Sequence, residues 1–147
     1  MMAPDDAILI AELRRDEAVR RNPYPDSEGI PTIGVGHNLE ASPLPEGWAP
    51  PLSDEQIDQL LVSDLLSVFS GLDAHLGWWR MLTYPRQRVL ANMAFNLGLP
   101  RLMGFKNAIR FMEQGAYADS AKEMLSSKWA RQVGERADRL AKMMVQG

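Results

Sequence analysis

The 147-residue sequence contains no cysteine and only two histidines, His37 and His75. The first absence rules out structural disulfides, thiol catalysis and cysteine-bearing metal sites. The second leaves too few companion ligands for a histidine metal centre, so neither a metal nor any other cofactor is implied. Nowhere do eighteen apolar residues run together, so no integral membrane segment is expected. The opening MMAPDDAILIAELRRDE sets acidic residues ahead of a short apolar stretch broken by Glu12, Arg14 and Arg15, which is not the charge order of a signal peptide. Low-complexity tracts and internal repeats are missing too, which argues against disorder and against a solenoid.

What is present suits a soluble globular chain: 46% hydrophobic and 24% charged residues. A single domain over 1–147 is expected, burying roughly 68–70% of the unfolded chain's surface. The net charge of −3 hides an asymmetry. Residues 1–79 carry 4 Lys/Arg against 14 Asp/Glu, a balance of −10, whereas residues 80–147 carry 12 against 5, a balance of +7. Solvated helix faces would explain this, and so would a basic lobe that meets a polyanion.

Asp5 or Asp6 can cap a first helix carrying Ile8, Leu9 and Leu13, with Glu17 near its end and a stop before Asn22-Pro23. Tyr24 to Leu39 then reads as turn and strand, because Pro25 and Pro31, with Pro23 just before, remove backbone donors while Ile30, Thr32, Ile33 and Val35 favour extension. Residues 40–52, with four prolines, form an irregular connector. Ser53 to Gln56 has capping-box spacing ahead of the stripe Ile57, Leu60, Leu61, Leu65 and Val68. Further helices are expected at about Pro85–Leu97, Phe105–Gln114, Tyr117–Lys128 and Glu135–Met144, with Gly98 and Gly115 as stops. The fold class is α+β, predominantly helical. Its expected lobes are a small β-containing one over 17–52, a connecting helix over 53–76, and a helical one from 1–16 and 77–147, with a cleft between them.

The stretch DSEGIPTIGVGH, from Asp26 to His37, alternates like a strand yet spends three glycines in eight residues. Read as one extended ribbon, it points Ile30, Thr32, Gly34 and Gly36 one way and Ile33, Val35 and His37 the other. Bare strand positions fit close approach of a ligand, and they fit bulges or tight turns equally well. Glu17 lies nine residues before Asp26, which lies six before Thr32, so helix end, turn and strand can bring the three together. Two carboxylates, one neutral to protonate a leaving oxygen and one ionised to activate water, are what glycosidic cleavage requires. Acidic residues near turns are also common without any such role.

Together, Leu13-Arg14-Arg15-Asp16-Glu17 and DSEGIPTIGVGHNL resemble the phage-type lysozymes, glycoside hydrolase family 24. Their signature joins a Glu at the end of the first helix to D-x-x-G-x-x-T-x-G-x-G-H. The resemblance extends to Ala94-Phe95-Asn96-Leu97-Gly98, Met103-Gly104-Phe105, Lys128-Trp129 and Gly134-Glu135-Arg136. It implies a lysozyme-like two-lobed fold, with Glu17 as general acid, Asp26 as the carboxylate assisting water and Thr32 as the hydroxyl positioning it. Gly34 and Gly36 would keep the Thr32 face low beneath a polysaccharide, and Arg136 would organise the site from across the cleft. Asn96 is either a substrate-facing amide or a helix cap, and the four tryptophans are read as packing rather than sugar platforms.

The implied function is an endolysin-like muramidase acting on the β-1,4 bond between N-acetylmuramic acid and N-acetylglucosamine, with inversion at the anomeric carbon. Its partner would be peptidoglycan glycan strands rather than nucleic acid, and a monomer is expected. Synthesis in a host bacterial cytoplasm and action on the periplasmic wall would require a holin or other membrane lesion. A helical nucleic-acid-binding module would use the basic half but leaves Glu17, Asp26 and Thr32 together unexplained. A catalytically impaired wall-binding protein is the nearer alternative.

His37 is assigned to the fold, since it shares the Ile33 and Val35 face. Asp64 is its expected partner, because that carboxylate interrupts Leu60-Leu61-Val62 and Leu65-Leu66 on an apolar helix face and wants a cation there. The amphipathic C-terminal stretch, with Arg136, Arg139 and Lys142 opposite Ala137, Leu140 and Met144, is expected to dock on its own lobe.

Overall fold

The computed structural model describes residues 2–147. Among these are eight α-helices, a three-stranded antiparallel sheet and one 3₁₀ turn at Trp79–Met81, an α+β and predominantly helical fold. The chain divides into two compact units, one of residues 3–67 and one of Met2 with Val68–Gly147.

In the first unit, α1 (Ala7–Glu17) starts at Asp6, whose Oδ1 accepts the Leu9 amide at 2.9 Å. Leu9 and Leu13, one helical turn apart, are fully buried, each contributing about 1.5–3 kcal/mol. The helix ends at Glu17 because Ala18 turns away at φ 59°, ψ 156°. Ala18 is the one non-glycine residue with positive φ among the described residues. Such a backbone costs an alanine roughly 1–2 kcal/mol.

The sheet has the order β1-β2-β3, from β1 (Arg20–Pro25), β2 (Pro31–Gly34) and β3 (His37–Asn38). Pro23 and Pro25 are tolerated because β1 is an edge strand. Tyr24 stands opposite Thr32, and the pairing is irregular between Arg20 and Tyr24. The continuous ribbon expected from Ile30 to His37 is instead two strands folded on each other, with Ile33 opposite His37. Gly34 and Gly36, at φ +66° and +63°, reverse the chain around Val35, a conformation that glycine adopts without steric penalty.

Residues 39–53 contain neither helix nor strand, and the Pro50–Pro51 bond is cis. The Leu52 amide donates to the Arg21 carbonyl, while Arg21 donates to the Leu52 carbonyl and to Asp54, tying the connector to β1. The capping box forms: Ser53 Oγ accepts the Gln56 amide at 3.1 Å, and Gln56 Oε1 accepts the Ser53 amide at 3.0 Å. It opens α2 (Asp54–His75), whose Ile57, Leu61 and Leu65 are buried at i, i+4 and i+8.

The second unit begins within α2. Trp79 is fully buried edge-on to Phe69, its indole donating to Asp73, which Arg80 also grips. Arg80 first, and the Trp79 hydrogen bond second, hold the Asp73 carboxyl below the usual carboxylate range. The helices that follow are α3 (Tyr84–Leu97), α4 (Leu99–Met103), α5 (Lys106–Glu113), α6 (Tyr117–Leu125), α7 (Lys128–Val133) and α8 (Glu135–Gln146). Two details depart from the pattern-based expectation. Gly98, at φ 79°, ends α3 and also precedes the short α4, with Pro100 in the latter's first turn. The helix expected over Tyr117–Lys128 stops at Leu125, because Ser127 accepts the Ala130 amide and starts α7. α8 packs on α3 and α6 within its own unit. No helix among the described residues is long and apolar enough to cross a membrane.

Candidate active site

Glu17, Asp26 and Thr32 all belong to the first unit and come from three consecutive pieces of chain. Glu17 is the last residue of α1 and is half-buried. Asp26 follows the end of β1 and builds the turn into β2. Its Oδ1 accepts the Glu28 amide at 2.8 Å and the Ile30 amide at 2.9 Å, while its own amide donates to the Ile30 carbonyl. Gly29, at φ +80°, completes the turn by donating to the Asp26 carbonyl. The carboxylate's share in holding the turn falls on Oδ1, so the group is oriented without Oδ2 entering these hydrogen bonds.

Thr32 is almost fully buried, and its Oγ1 donates to the Ile30 carbonyl at 2.8 Å. With its proton committed there, the hydroxyl has only lone pairs to offer, so toward a water molecule it can act only as acceptor.

Tyr24 joins these residues, although the sequence pattern does not single it out. Directly opposed residues of an antiparallel pair project from the same face, so the Tyr24 ring shares the Thr32 face. Burial pushes its phenol pKa up, the Glu17 and Asp26 charges add to that, and Arg20, 5.1 Å from the ring centroid, opposes it. A single phenol therefore feels both carboxylates. The available signal was Tyr24's place two residues before Asp26 in extended chain; its pairing with Thr32 needed the hairpin register.

The glycines part company. A Cβ built on Gly34 would meet Ile57 Cγ2 at 3.7 Å and Leu60 Cδ1 at 4.0 Å, so this position faces the apolar side of α2. Strict alternation, which puts Gly34 on the Thr32 face, fails here because the positive φ has already turned the chain. A Cβ on Gly36 would lie 2.9 Å from Glu17 Oε2.

His37 is buried, with Nδ1 2.8 Å from Asp64 Oδ2 and Nε2 2.8 Å from the Ser42 carbonyl oxygen. Both neighbours are acceptors, so only the doubly protonated ring can donate to each. The Asp64 hydrogen bond accordingly raises the His37 pKa, against the opposing effect of burial.

The remaining candidates lie in the second unit. Asn96 is half-buried near the end of α3, and its Oδ1 accepts the Trp129 indole N–H at 2.7 Å. Arg136 is 6% exposed, and its Nε donates to Asn92 Oδ1 at 2.9 Å. Asn92, itself 1% exposed, is a second residue that sequence reasoning missed. A polar side chain within the apolar run Val89–Ala94 was its signal, since such a group needs a buried partner. No group of three or more His, Asp or Glu side chains among the described residues is placed to hold a metal ion.

The phage lysozyme family pattern matches residues 14–143, a span that includes every residue discussed in this section. The chain is 28% identical over 155 residues to the pre-baseplate central spike protein Gp5 of Enterobacteria phage T4, which covers 92% of this chain and 27% of that protein. It thus spans about a quarter of the spike protein's length. With a probable T4-type lysozyme of Dictyostelium discoideum it shares 25% identity over 92% of each chain. An endolysin of Salmonella phage P22 is 32% identical over 65% of this chain and 64% of its own.

Proposed function

The chain belongs to the phage lysozyme family, and from that premise we propose that it is a muramidase cleaving the β-1,4 bond between N-acetylmuramic acid and N-acetylglucosamine in peptidoglycan. Glu17 protonates the glycosidic oxygen. Asp26 takes a proton from the attacking water through Oδ2, the oxygen not used in its turn, and Thr32 accepts a hydrogen bond from that same water. The water attacks opposite the leaving group, so the configuration at the anomeric carbon inverts. The observation that carries this reading is geometric: Glu17 at the end of α1, Asp26 in the β1–β2 turn and Thr32 on β2 come from three consecutive pieces of one compact unit, with Tyr24 paired opposite Thr32.

Arg136, fixed by Asn92, has the role of site organiser in this proposal, and Asn96 that of a substrate-side amide steadied by Trp129. The cationic stretch 80–147 suits an anionic wall polymer. Lysis of a bacterial host by a monomeric enzyme, made in the cytoplasm and released to the periplasm through a holin or other membrane lesion, completes the proposal. The test is early-time NMR of the products from a soluble peptidoglycan fragment. Inversion makes the α-anomer the first product, whereas a β-anomer appearing first rejects the water-attack geometry.

A further inference from the structure

The outer half of the Glu17 side chain lies on the bare backbone of Gly36. A methyl group at that position would stand 2.9 Å from Oε2, 3.1 Å from Cδ and 3.4 Å from Cγ. Positive φ favours glycine at both Gly34 (+66°) and Gly36 (+63°), but only at Gly36 would a Cβ also collide with a neighbouring side chain, since the nearest atom to a Cβ on Gly34 is 3.7 Å away. Two further observations show that this arrangement is fixed from both sides. On the Glu17 side, the helix is ended by Ala18 held at φ 59°, so the Cα of Glu17 is delivered by a strained turn rather than a relaxed helix end. On the Gly36 side, the next residue is His37, which pairs with Ile33 across the hairpin and is bound at both ring nitrogens, by Asp64 on α2 and by the Ser42 carbonyl.

We propose that Gly36 is a positioning residue for Glu17: its missing side chain is the seat in which the Glu17 carboxylate rests, not a surface for sugar. The proposal rests on the reading of Glu17 as the general acid and adds what holds the acid in place. The physical consequence is specific. Because the hairpin is anchored and the carboxylate sits at the end of a flexible side chain, a methyl at position 36 moves the carboxylate rather than the backbone. Relieving the overlap takes a shift of roughly half an ångström, and since a misplacement of about 1 Å costs on the order of 100-fold in the chemical step, a loss of about 10-fold is expected, while substrate affinity, set elsewhere, stays close to its starting value.

The test compares Gly36→Ala with Gly47→Ala. Gly47 has φ +85° and nothing within 4 Å of the position its Cβ would take, so its substitution imposes left-handed strain without displacing a side chain. Three readouts are taken on the purified 147-residue protein: melting temperature, kcat and KM on a soluble peptidoglycan fragment, and alkaline NMR titration of Tyr24, whose phenol feels the Glu17 charge. The expected result is similar melting for both variants, kcat lowered about 10-fold with little change in KM for Gly36→Ala alone, and a shifted Tyr24 titration in Gly36→Ala alone. A shifted titration with kcat intact keeps the seat and removes Glu17 from the acid role. An unshifted Tyr24 titration overturns the seat. Unfolding of Gly36→Ala while Gly47→Ala remains folded overturns it too, since the displaced atoms would then belong to the frame.

Discussion

His37 Nδ1 lies 2.8 Å from Asp64 Oδ2, a contact between β3 and α2 made beneath the hairpin that carries Thr32 and Gly36. The histidine side chain is 4% exposed and the aspartate 27%, so solvent screens the pair only partly. His37→Asn and Asp64→Asn should each destabilise the protein, with a coupling of about 1–3 kcal/mol in a double-mutant cycle. The sign of the pH dependence follows from the raised His37 pKa. The stabilisation is complete below the ordinary histidine value of about 6.5 and is lost as pH rises through the higher folded value. Urea unfolding on either side of that window measures it, and additive losses at mildly acidic pH would dismiss the pairing as a source of stability.

Tyr24 offers a spectroscopic view of the two carboxylates. Its ionisation should fall at higher pH than an ordinary tyrosine's, with burial the main cause. Removing either negative charge, in Glu17→Gln or Asp26→Asn, should lower the Tyr24 pKa, because a nearby anion disfavours phenolate. Tyrosine NMR titration of the three proteins checks this. If neither substitution moves Tyr24, the three groups are not neighbours in solution.

Ala18 occupies a backbone conformation that suits glycine, with φ 59° and ψ 156°. Ala18→Gly relieves that strain but gives the unfolded chain more freedom, so a net gain of about 1 kcal/mol is expected. For a chain of this size that corresponds to roughly 2–4 °C in Tm. A melting temperature unchanged or lowered by the substitution would show that any strain at Ala18 is no larger than the roughly 0.4–1 kcal/mol that glycine's unfolded-state freedom costs.

Lys122 and Arg131 are exposed on the second unit. If the cationic helices draw in an anionic wall polymer, Lys122→Glu with Arg131→Glu should slow encounter at low ionic strength and flatten the salt dependence of kcat/KM. The bound chemical step should change little. A double variant with the parent's rate and salt response would make these charges ordinary solvated ones.

The parts of this protein that could be read from sequence are those set by local rules. Ser53 and Gln56 cap α2 because their spacing alone allows the reciprocal hydrogen bonds. Asp64 could be matched with His37 because a carboxylate on an apolar helix face needs a cation and histidine supplies one. What sequence could not supply was long-range register. Ser42, the second partner of His37, contributes only a backbone carbonyl from an irregular segment, and any residue there would offer the same atom. The opposition of Tyr24 to Thr32 depends on where the hairpin pairs. Gly34 and Gly36 are equivalent under strand alternation, and only their positive φ angles separate a glycine facing Ile57 from one facing Glu17. Asn92 and Arg136 lie 44 positions apart and meet because α3 packs on α8.

The most direct measurement of the muramidase assignment is mass spectrometry of peptidoglycan digested by the parent protein and by Glu17→Gln at equal folded concentration. Hydrolysis with Glu17 as acid should yield fragments ending in reducing N-acetylmuramic acid from the parent and almost none from the variant. Fragments ending in anhydro-muramic acid, or an undiminished yield from Glu17→Gln, would contradict it.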